Sequence, residues 1–302
     1  MNGLIVLDKP EGFTSFDAVA VMRKITHEKK IGHTGTLDPM ATGVLPILLG
    51  RGTKCVDLLP DTDKEYVASF RLGVKSDTLD STGKILEENY GKITREALEN
   101  ALQNFRGEIE QIPPMYSAVQ VGGVRLYDLA RKGIEVEREA RKINISLLRL
   151  ESFDENSGEG ELTVRCSKGT YIRTLIDDIA RSLSLCGGIM TALRRTRACG
   201  FDIKDALTLD ELKELSEKNE IESVIRPLDG LFSEYRRVNV SAAQMNRYLN
   251  GGELSLERLH LKFGTDGEKI RVYSPDGKLF LGLGLVELKE SQLKILKILH
   301  VK

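Results

Sequence analysis

The chain has 302 residues, 41% of them hydrophobic and 29% charged, with 44 Lys and Arg against 45 Asp and Glu. That length buries a full core, in one large domain and a smaller one or in two comparable ones, and the balance excludes a disordered or fibrous chain. Apolar runs such as Leu4-Ile5-Val6-Leu7 are too short to span a bilayer, and no basic leader with a small-residue cleavage site opens the chain, so a soluble cytoplasmic protein is expected.

In chain order, residues 3–10 predict a short buried strand stopped by a proline turn, with Lys9 and Pro10 at its exit. Residues 15–24 predict a capped helix whose apolar set is Phe16, Val19, Ala20 and Met22. The loop Gly32-His33-Thr34-Gly35-Thr36-Leu37-Asp38-Pro39 then places one carboxylate among glycines, hydroxyls and a histidine. Two readings stay open there. Asp38 caps a helix that Pro39 begins, the better reading on local grounds, or Asp38 is held against a ligand. Residues 66–74 alternate, with Tyr66, Ala68, Phe70 and Leu72 on one face, and predict a strand ending at Gly73. Residues 94–105 space Ala97, Leu98, Ala101, Leu102 and Phe105 as a helix behind a Thr cap.

Residues 162–167 alternate as a strand, Lys168-Gly169-Thr170 turns out of it, and a helix follows with Ile172, Leu175, Ile176, Ile179 and Leu183 on one stripe, ending at Gly187-Gly188. Tyr171 and Arg173 fall at that helix start, where side chains point back over strand ends. Residues 207–218 predict a further amphipathic helix, and residues 226–236 a connection bearing Pro and Gly. Beyond it, strands at 237–240, 269–273 and 278–288, a hairpin turn at Pro275-Asp276-Gly277 and a small helix closed by Asn250-Gly251-Gly252 predict a separate β-rich module, a small barrel. With strands and helices in mixed order and no βαβ repeat, the fold class is α+β.

Four cysteines (Cys55, Cys166, Cys186, Cys199) and four histidines (His27, His33, His260, His300) are scattered without a C-x-x-C pair, and neither a phosphate-binding glycine loop nor a dinucleotide fingerprint occurs. Neither a metal nor a cofactor is expected. Charge is uneven: residues 125–149 hold seven bases against four acids and residues 190–204 four against one, while residues 77–110 and 205–223 are acidic. If the two basic segments meet in space they form a cationic face that steers a polyphosphate, although by charge alone a solvated surface is the simpler reading.

Four further segments stand beside the Asp38 loop. They are Lys9-Pro10; Lys64-Glu65-Tyr66; Gln111-Ile112-Pro113-Pro114-Met115-Tyr116-Ser117-Ala118 with Gly123, Leu126-Tyr127 and Ala130-Arg131; and Cys166-Ser167-Lys168-Gly169-Thr170-Tyr171-Ile172-Arg173-Thr174-Leu175. In this order and spacing the five resemble the TruB family of bacterial tRNA pseudouridine-55 synthases, from Gly3 through Leu193-Arg194-Arg195 and into the C-terminal module. The resemblance implies a pseudouridine-synthase catalytic domain with a mixed, largely antiparallel sheet and flanking helices over residues 1–236. It implies a small β-barrel-like PUA domain, RNA-binding, over residues 237–302. The implied reaction converts uridine 55 in the T loop of tRNA to pseudouridine without a cofactor, the partner being the tRNA T arm, with the acceptor end a further contact for the C-terminal domain.

Residue by residue, the resemblance implies Asp38 as the catalytic aspartate, acting as nucleophile or base, and Arg173 as its ionic partner. Tyr66 stacks on the target base, Leu193 walls the uracil pocket, Tyr171 helps to bind the base, and Lys9 and Pro10 support the loop. A T-loop uridine must be extruded before it can react, and His33 is a stacking agent for that step. Arg125, Arg131, Lys132, Arg141, Lys142, Lys168, Arg194 and Arg195 then find a use as RNA contacts. Gln120 departs from the pattern, standing where the family commonly has Lys. The rivals are a guide-RNA-dependent synthase, which shares the catalytic motif, and a tRNA-folding chaperone with secondary catalysis. A monomer that needs no protein partner is expected.

Overall fold

The computed structural model describes residues 1–259 and 264–300; His260 of the four scattered histidines lies outside them. The aliphatic run β1 (Gly3–Lys9) ends at Pro10, and α1 (Ser15–Thr26) starts behind Thr14, whose hydroxyl accepts from Asp17 N while Asp17 Oδ2 accepts from Thr14 N, both at 3.0 Å. The buried stripe of α1 is Ala18, Val19, Met22 and Ile25, spaced three to four apart. Phe16 lies off that stripe, 68% exposed, and Ala20 is only half-buried, so the apolar set expected for this helix is corrected on both.

β2 (Ile31–His33) and β3 (Thr42–Leu49) pair antiparallel, and the segment between them is not a helix. Ala41 N donates to Asp38 O at 3.0 Å, which closes a single turn around Pro39. The buried run Val44-Leu45-Pro46-Ile47-Leu48-Leu49 then draws the chain into the sheet, so the helix-cap reading of Asp38 is overturned. β4 (Lys64–Leu72) buries Tyr66, Ala68, Phe70 and Leu72, the face its alternation predicts. A small hairpin, β5 (Val74–Ser76) with β6 (Ile85–Glu88), and the Thr94-capped helix α2 (Arg95–Leu102) follow.

Next come β7 (Gly107–Gln111), the hairpin of β8 (Gln120–Val121) and β9 (Val124–Arg125), the short helix α3 (Leu126–Ala130) and the long β10 (Arg141–Asp154). β11 (Glu159–Cys166), α4 (Ile172–Ser182), β12 (Gly188–Ala198), β13 (Phe201–Asp202) and the Thr208-capped helix α5 (Leu209–Glu217) complete this part. The main sheet runs β1-β3-β12-β4-β11-β10-β7, with β2 and β13 paired to β3 and β12, and every pairing in it is antiparallel except β12 with β3. Where β12 passes β3, a Cβ on Gly43 (φ +104) would stand 2.2 Å from Arg195 O, so only glycine allows the parallel contact. The helix expected to reach Gly187-Gly188 stops at Ser182, because Gly188 opens β12 and packs where a Cβ would meet Ile176 O at 3.0 Å.

The second sheet is formed by β14 (Arg236–Asn239), β15 (Leu254–Ser255), β16 (Lys269–Tyr273), β17 (Phe280–Glu287) and β18 (Gln292–Ile298), in the order β14-β16-β17-β18-β15, with α6 (Ala242–Leu249) packed against it. The buried Tyr248 of α6 donates its hydroxyl to Leu283 O at 2.9 Å, which satisfies the one polar atom that side chain brings inside. Leu283 and Leu299 also join Cys55, Leu59, Cys199 and Phe232 in one buried cluster, so the two sheets share apolar packing. No helix among the described residues is long and apolar enough to cross a membrane.

Candidate active site

The loop between β2 and β3 has almost no regular structure of its own, and side chains from three other elements hold it. Ser15 Oγ, at the start of α1, accepts from Leu37 N at 2.8 Å and donates to Leu37 O at 3.2 Å. Lys9, fully buried at the end of β1, donates from Nζ to the carbonyls of Pro10 (2.8 Å), Phe13 (2.6 Å) and Pro39 (3.4 Å). Arg195, fully buried on β12, reaches Val44 O (2.6 Å), Gly35 O (3.1 Å) and Thr36 O (3.4 Å). A guanidinium suits this clamp because its fixed fork serves several acceptors at once.

The loop presents Asp38 to Arg173. Arg173 Nη2 lies 3.0 Å from Asp38 Oδ2, with the carboxylate side chain 36% exposed and the arginine 6% exposed. The same guanidinium donates to Thr78 O and Tyr116 O, both at 2.9 Å, and its Nη1 stands 3.7 Å from Asp80 Oδ2. Asp80 is itself buried, and its Oδ1 accepts from Thr78 Oγ1 (2.7 Å), Thr82 Oγ1 (2.6 Å) and Thr82 N (3.0 Å). One cation therefore faces two carboxylates, one inside and one open to the cleft. Asp80 is missed by the sequence reading, since the run Asp77-Thr78-Leu79-Asp80 looks like a solvated acidic turn. Its burial follows from the turn docking on β12, where Met190 N donates to Leu79 O at 3.1 Å.

Asp38 opens onto a cleft of about 310 Å³ walled by Tyr66, Tyr116, Tyr171, Met190 and Leu193, with Lys64 and Lys168 among its polar lining. Tyr66 faces it from β4, directly opposite Arg195 in the strand pairing. Burial pushes the Tyr66 phenol above its ordinary value, and the positive charge of Arg195 works against that push. Burial likewise brings the Lys9 ammonium down to about 8 against the opposing pull of Asp38. Tyr171 sits at the start of α4, and its backbone is gripped by the buried Gln111, which accepts from Tyr171 N at 2.8 Å and donates to Tyr171 O at 3.1 Å. His33 ends β2 half-buried, its Nδ1 unpartnered and its imidazole pushed down by burial and by Arg195.

The predicted site residues thus fall into three groups. Asp38, Tyr66, Tyr171, Arg173 and Leu193 converge on one cleft, with Lys9 and Pro10 behind the loop. Arg125, Arg131 and Lys132 lie exposed on and beside the β8–β9 hairpin, with Arg125 and Arg131 over the Tyr127 ring; Arg141 and Lys142 are exposed at the start of β10, where Lys142 pairs with Glu108 at 3.1 Å. Gln120 is exposed and pairs with Arg125 across that hairpin.

The second basic segment does not form a cationic face. β12 turns alternate residues to opposite sides, so Arg195 is fully buried and is not a surface RNA contact, while Arg194 pairs with Asp8 at 2.8 Å and Arg197 lies 3.8 Å from Asp61. β10 places residues 141–154 in the main sheet, with Arg141, Lys142 and Arg149 exposed on it. Among the described residues no group of three or more His, Cys, Asp and Glu side chains gathers as a metal site.

Over nearly its whole length the fold is shared with a solved structure. A chain of the Cbf5–Nop10–Gar1 complex superposes with a TM-score of 0.73 at 26% identity, covering 99% of this chain and 85% of that one. The models for the TruB family pseudouridylate synthase N-terminal domain and the tRNA pseudouridylate synthase B C-terminal domain match residues 23–172 and 173–233. The tRNA pseudouridine synthase B of Clostridium tetani is 45% identical, covering 99% of this chain and all of that one; the Bacillus pumilus protein of that name is 39% identical, covering 92% and 91%. The chain belongs to the TruB family of tRNA pseudouridine synthases.

Proposed function

We propose that the protein converts uridine 55 in the T loop of tRNA to pseudouridine, with Asp38 as its catalytic group. The observation that carries this reading is the Asp38–Arg173 pair, 3.0 Å apart and open to a cleft walled by Tyr66 and Leu193. Either the carboxylate attacks C1′, forming an ester as the C1′–N1 bond breaks, and C5 of the turned uracil later displaces it; or it removes the C2′ proton as C1′–N1 breaks, and returns that proton to C2′ as C1′–C5 forms. On both routes the C5 proton leaves to solvent as N1 gains one. Substrate and product are isomers, so the reaction calls for no cofactor. Arg173 keeps the acid charged and aimed, Tyr66 and Tyr171 hold the base, Leu193 excludes water, and Lys9 with Pro10 supports the loop.

The cleft admits a base that has left its stack, at a cost of a few kcal/mol, and His33 at the loop start fills the place it vacates. Arg125, Arg131, Lys132, Arg141, Lys142, Lys168 and the rim of Arg194 meet T-arm phosphates, and residues 237–302 act as a PUA-like RNA-binding domain, with residues 1–236 the catalytic domain. The protein works in the cytoplasm as a monomer.

The likeness to the Cbf5-containing complex favours a second reading, in which a guide RNA presents the uridine. An unmodified T-arm stem-loop incubated with the purified protein alone separates the two. Pseudouridine at the position of uridine 55, mapped by primer extension after carbodiimide treatment, is expected. No product without added guide RNA would overturn the stand-alone reading.

A further inference from the structure

Lys64, the first residue of β4, lines the cleft beside Asp38 and Tyr66. Its ammonium donates to Thr62 O at 2.8 Å, and among the described residues it has no carboxylate partner. An ammonium has three donors, so two remain for something else. Burial pushes this group below its ordinary value, and the charge of Asp63, which works against that push, makes no ion pair with it. A second cation lies against the same spot: a Cβ on Gly35 would stand 3.0 Å from Lys64 Cε and 3.7 Å from Arg195 Nη1. Arg195 in turn spends its donors on the carbonyls of Val44, Gly35 and Thr36, none of them charged.

The other donors on this wall are also unspent. The Thr34 hydroxyl is buried without a hydrogen-bond partner and lines the cleft. Among the described residues, the amides of Gly35 and Thr36 have no acceptor. Two neighbouring cations that make no ion pair among the described residues, an orphan hydroxyl and two free amides form the donor set of an anion site. Neither cation pairs with Asp38, whose carboxylate is engaged by Arg173.

We propose that Lys64, with Thr34 and the Gly35-Thr36 amides, binds a phosphodiester flanking the target nucleotide as that nucleotide enters the cleft. The inference rests on the reading of the cleft as an RNA-modifying site. A backbone phosphate is favoured over the uracil ring because it is charged throughout, and so offsets two cations in the bound ground state, whereas the base carries charge only while detached. The compact ammonium fits a phosphate oxygen as a point charge. Gly35 is part of the site, since a side chain there would press on the Lys64 stem.

The test is a thermodynamic cycle between Lys64→Gln and single methylphosphonate linkages in a T-arm stem-loop, read as RNA affinity over a range of salt. Lys64→Gln is expected to weaken binding about tenfold at low salt and to flatten the slope of log affinity against log salt by about 0.7. One methylphosphonate next to the target uridine should weaken wild-type binding by a similar factor and add nothing in Lys64→Gln. Unchanged affinity and slope in Lys64→Gln, or additive losses at every linkage, would overturn the proposal. So would a loss confined to the single-turnover rate at saturating RNA, which would give Lys64 to the base instead. Should Lys64→Gln fail to fold by circular dichroism, the linkage scan on wild type still decides, because a scan without any sensitive linkage contradicts the site. Coupled binding losses in a wild-type protein that makes no pseudouridine would leave the phosphate site standing and sink the enzymatic reading.

Discussion

Asp38 and Arg173 divide one ion pair between two environments, the acid a third exposed and the arginine almost wholly inside. The guanidinium reaches Asp38, Thr78 O and Tyr116 O together, which an ammonium cannot reproduce. Arg173→Lys is therefore expected to lower the single-turnover rate about 100-fold while RNA affinity stays within about threefold, measured by quench-flow and filter binding. Arg195 works on the loop from behind. Arg195→Lys leaves the carbonyls of Val44, Gly35 and Thr36, the first of them in a buried bond, with too few donors and should cost about 2–4 kcal/mol in urea unfolding. Far-UV circular dichroism is the probe of choice there, as the chain has no Trp. At this scale the sequence motif exposes Asp38, Tyr66 and Arg173, but not the part played by Arg195, whose neighbours Arg194 and Arg197 make it look like surface charge. Only the pairing of β12 with β3 and β4 reveals that it points inward.

α4 and β12 together set the geometry of the cleft, and α4 carries a titration that follows from its burial. The Asp178 carboxyl is raised to about 6, chiefly by burial and then by the adjacent Asp177. Below its unfolded value of 3.8 the carboxyl is protonated in both states, so nothing is lost. As pH rises towards 6 the unfolded chain releases the proton first, and stability falls until the folded group has ionised too. Asp178→Asn should accordingly stabilise the protein by about 1–3 kcal/mol at neutral pH and by almost nothing near pH 4, read from paired urea titrations. The elements with clean periodicity, β4, α2 and α5, are legible from the chain, as is the start of α4. β12 and β10 are not, because charged residues on their open sides mask the alternation, as with Arg149 and Glu151 along β10 and Arg194 on β12. The turn at Asp38-Pro39 misleads for a different reason: its residues suit a helix start, and the buried run from Val44 decides otherwise.

The two sheets meet through apolar packing, in one cluster that spans Cys55 and Cys199 on one side and Leu283 and Leu299 on the other, and in a second where Phe280 packs against Leu4, Val6, Val44 and Leu48. Cys199 N also donates to Asp63 O, one residue from Lys64, at 3.3 Å, so this packing lies directly behind the cleft. Leu283→Ala should cost about 2–4 kcal/mol and shift a single unfolding transition rather than split it into two. The separate β-rich module is legible in its turns and in three of its strands; the shared core is not, since single hydrophobic residues carry no signature of the partner they meet. For the whole molecule, the proposed activity is that a cleft organised around Asp38 isomerises uridine in tRNA. Release of tritium from a tRNA transcript labelled at uridine C5 tests it most directly. Wild-type protein should release tritium to solvent, and Asp38→Asn, binding the same RNA, should release none. Continued release by Asp38→Asn, or none by wild type with bound RNA, would contradict it.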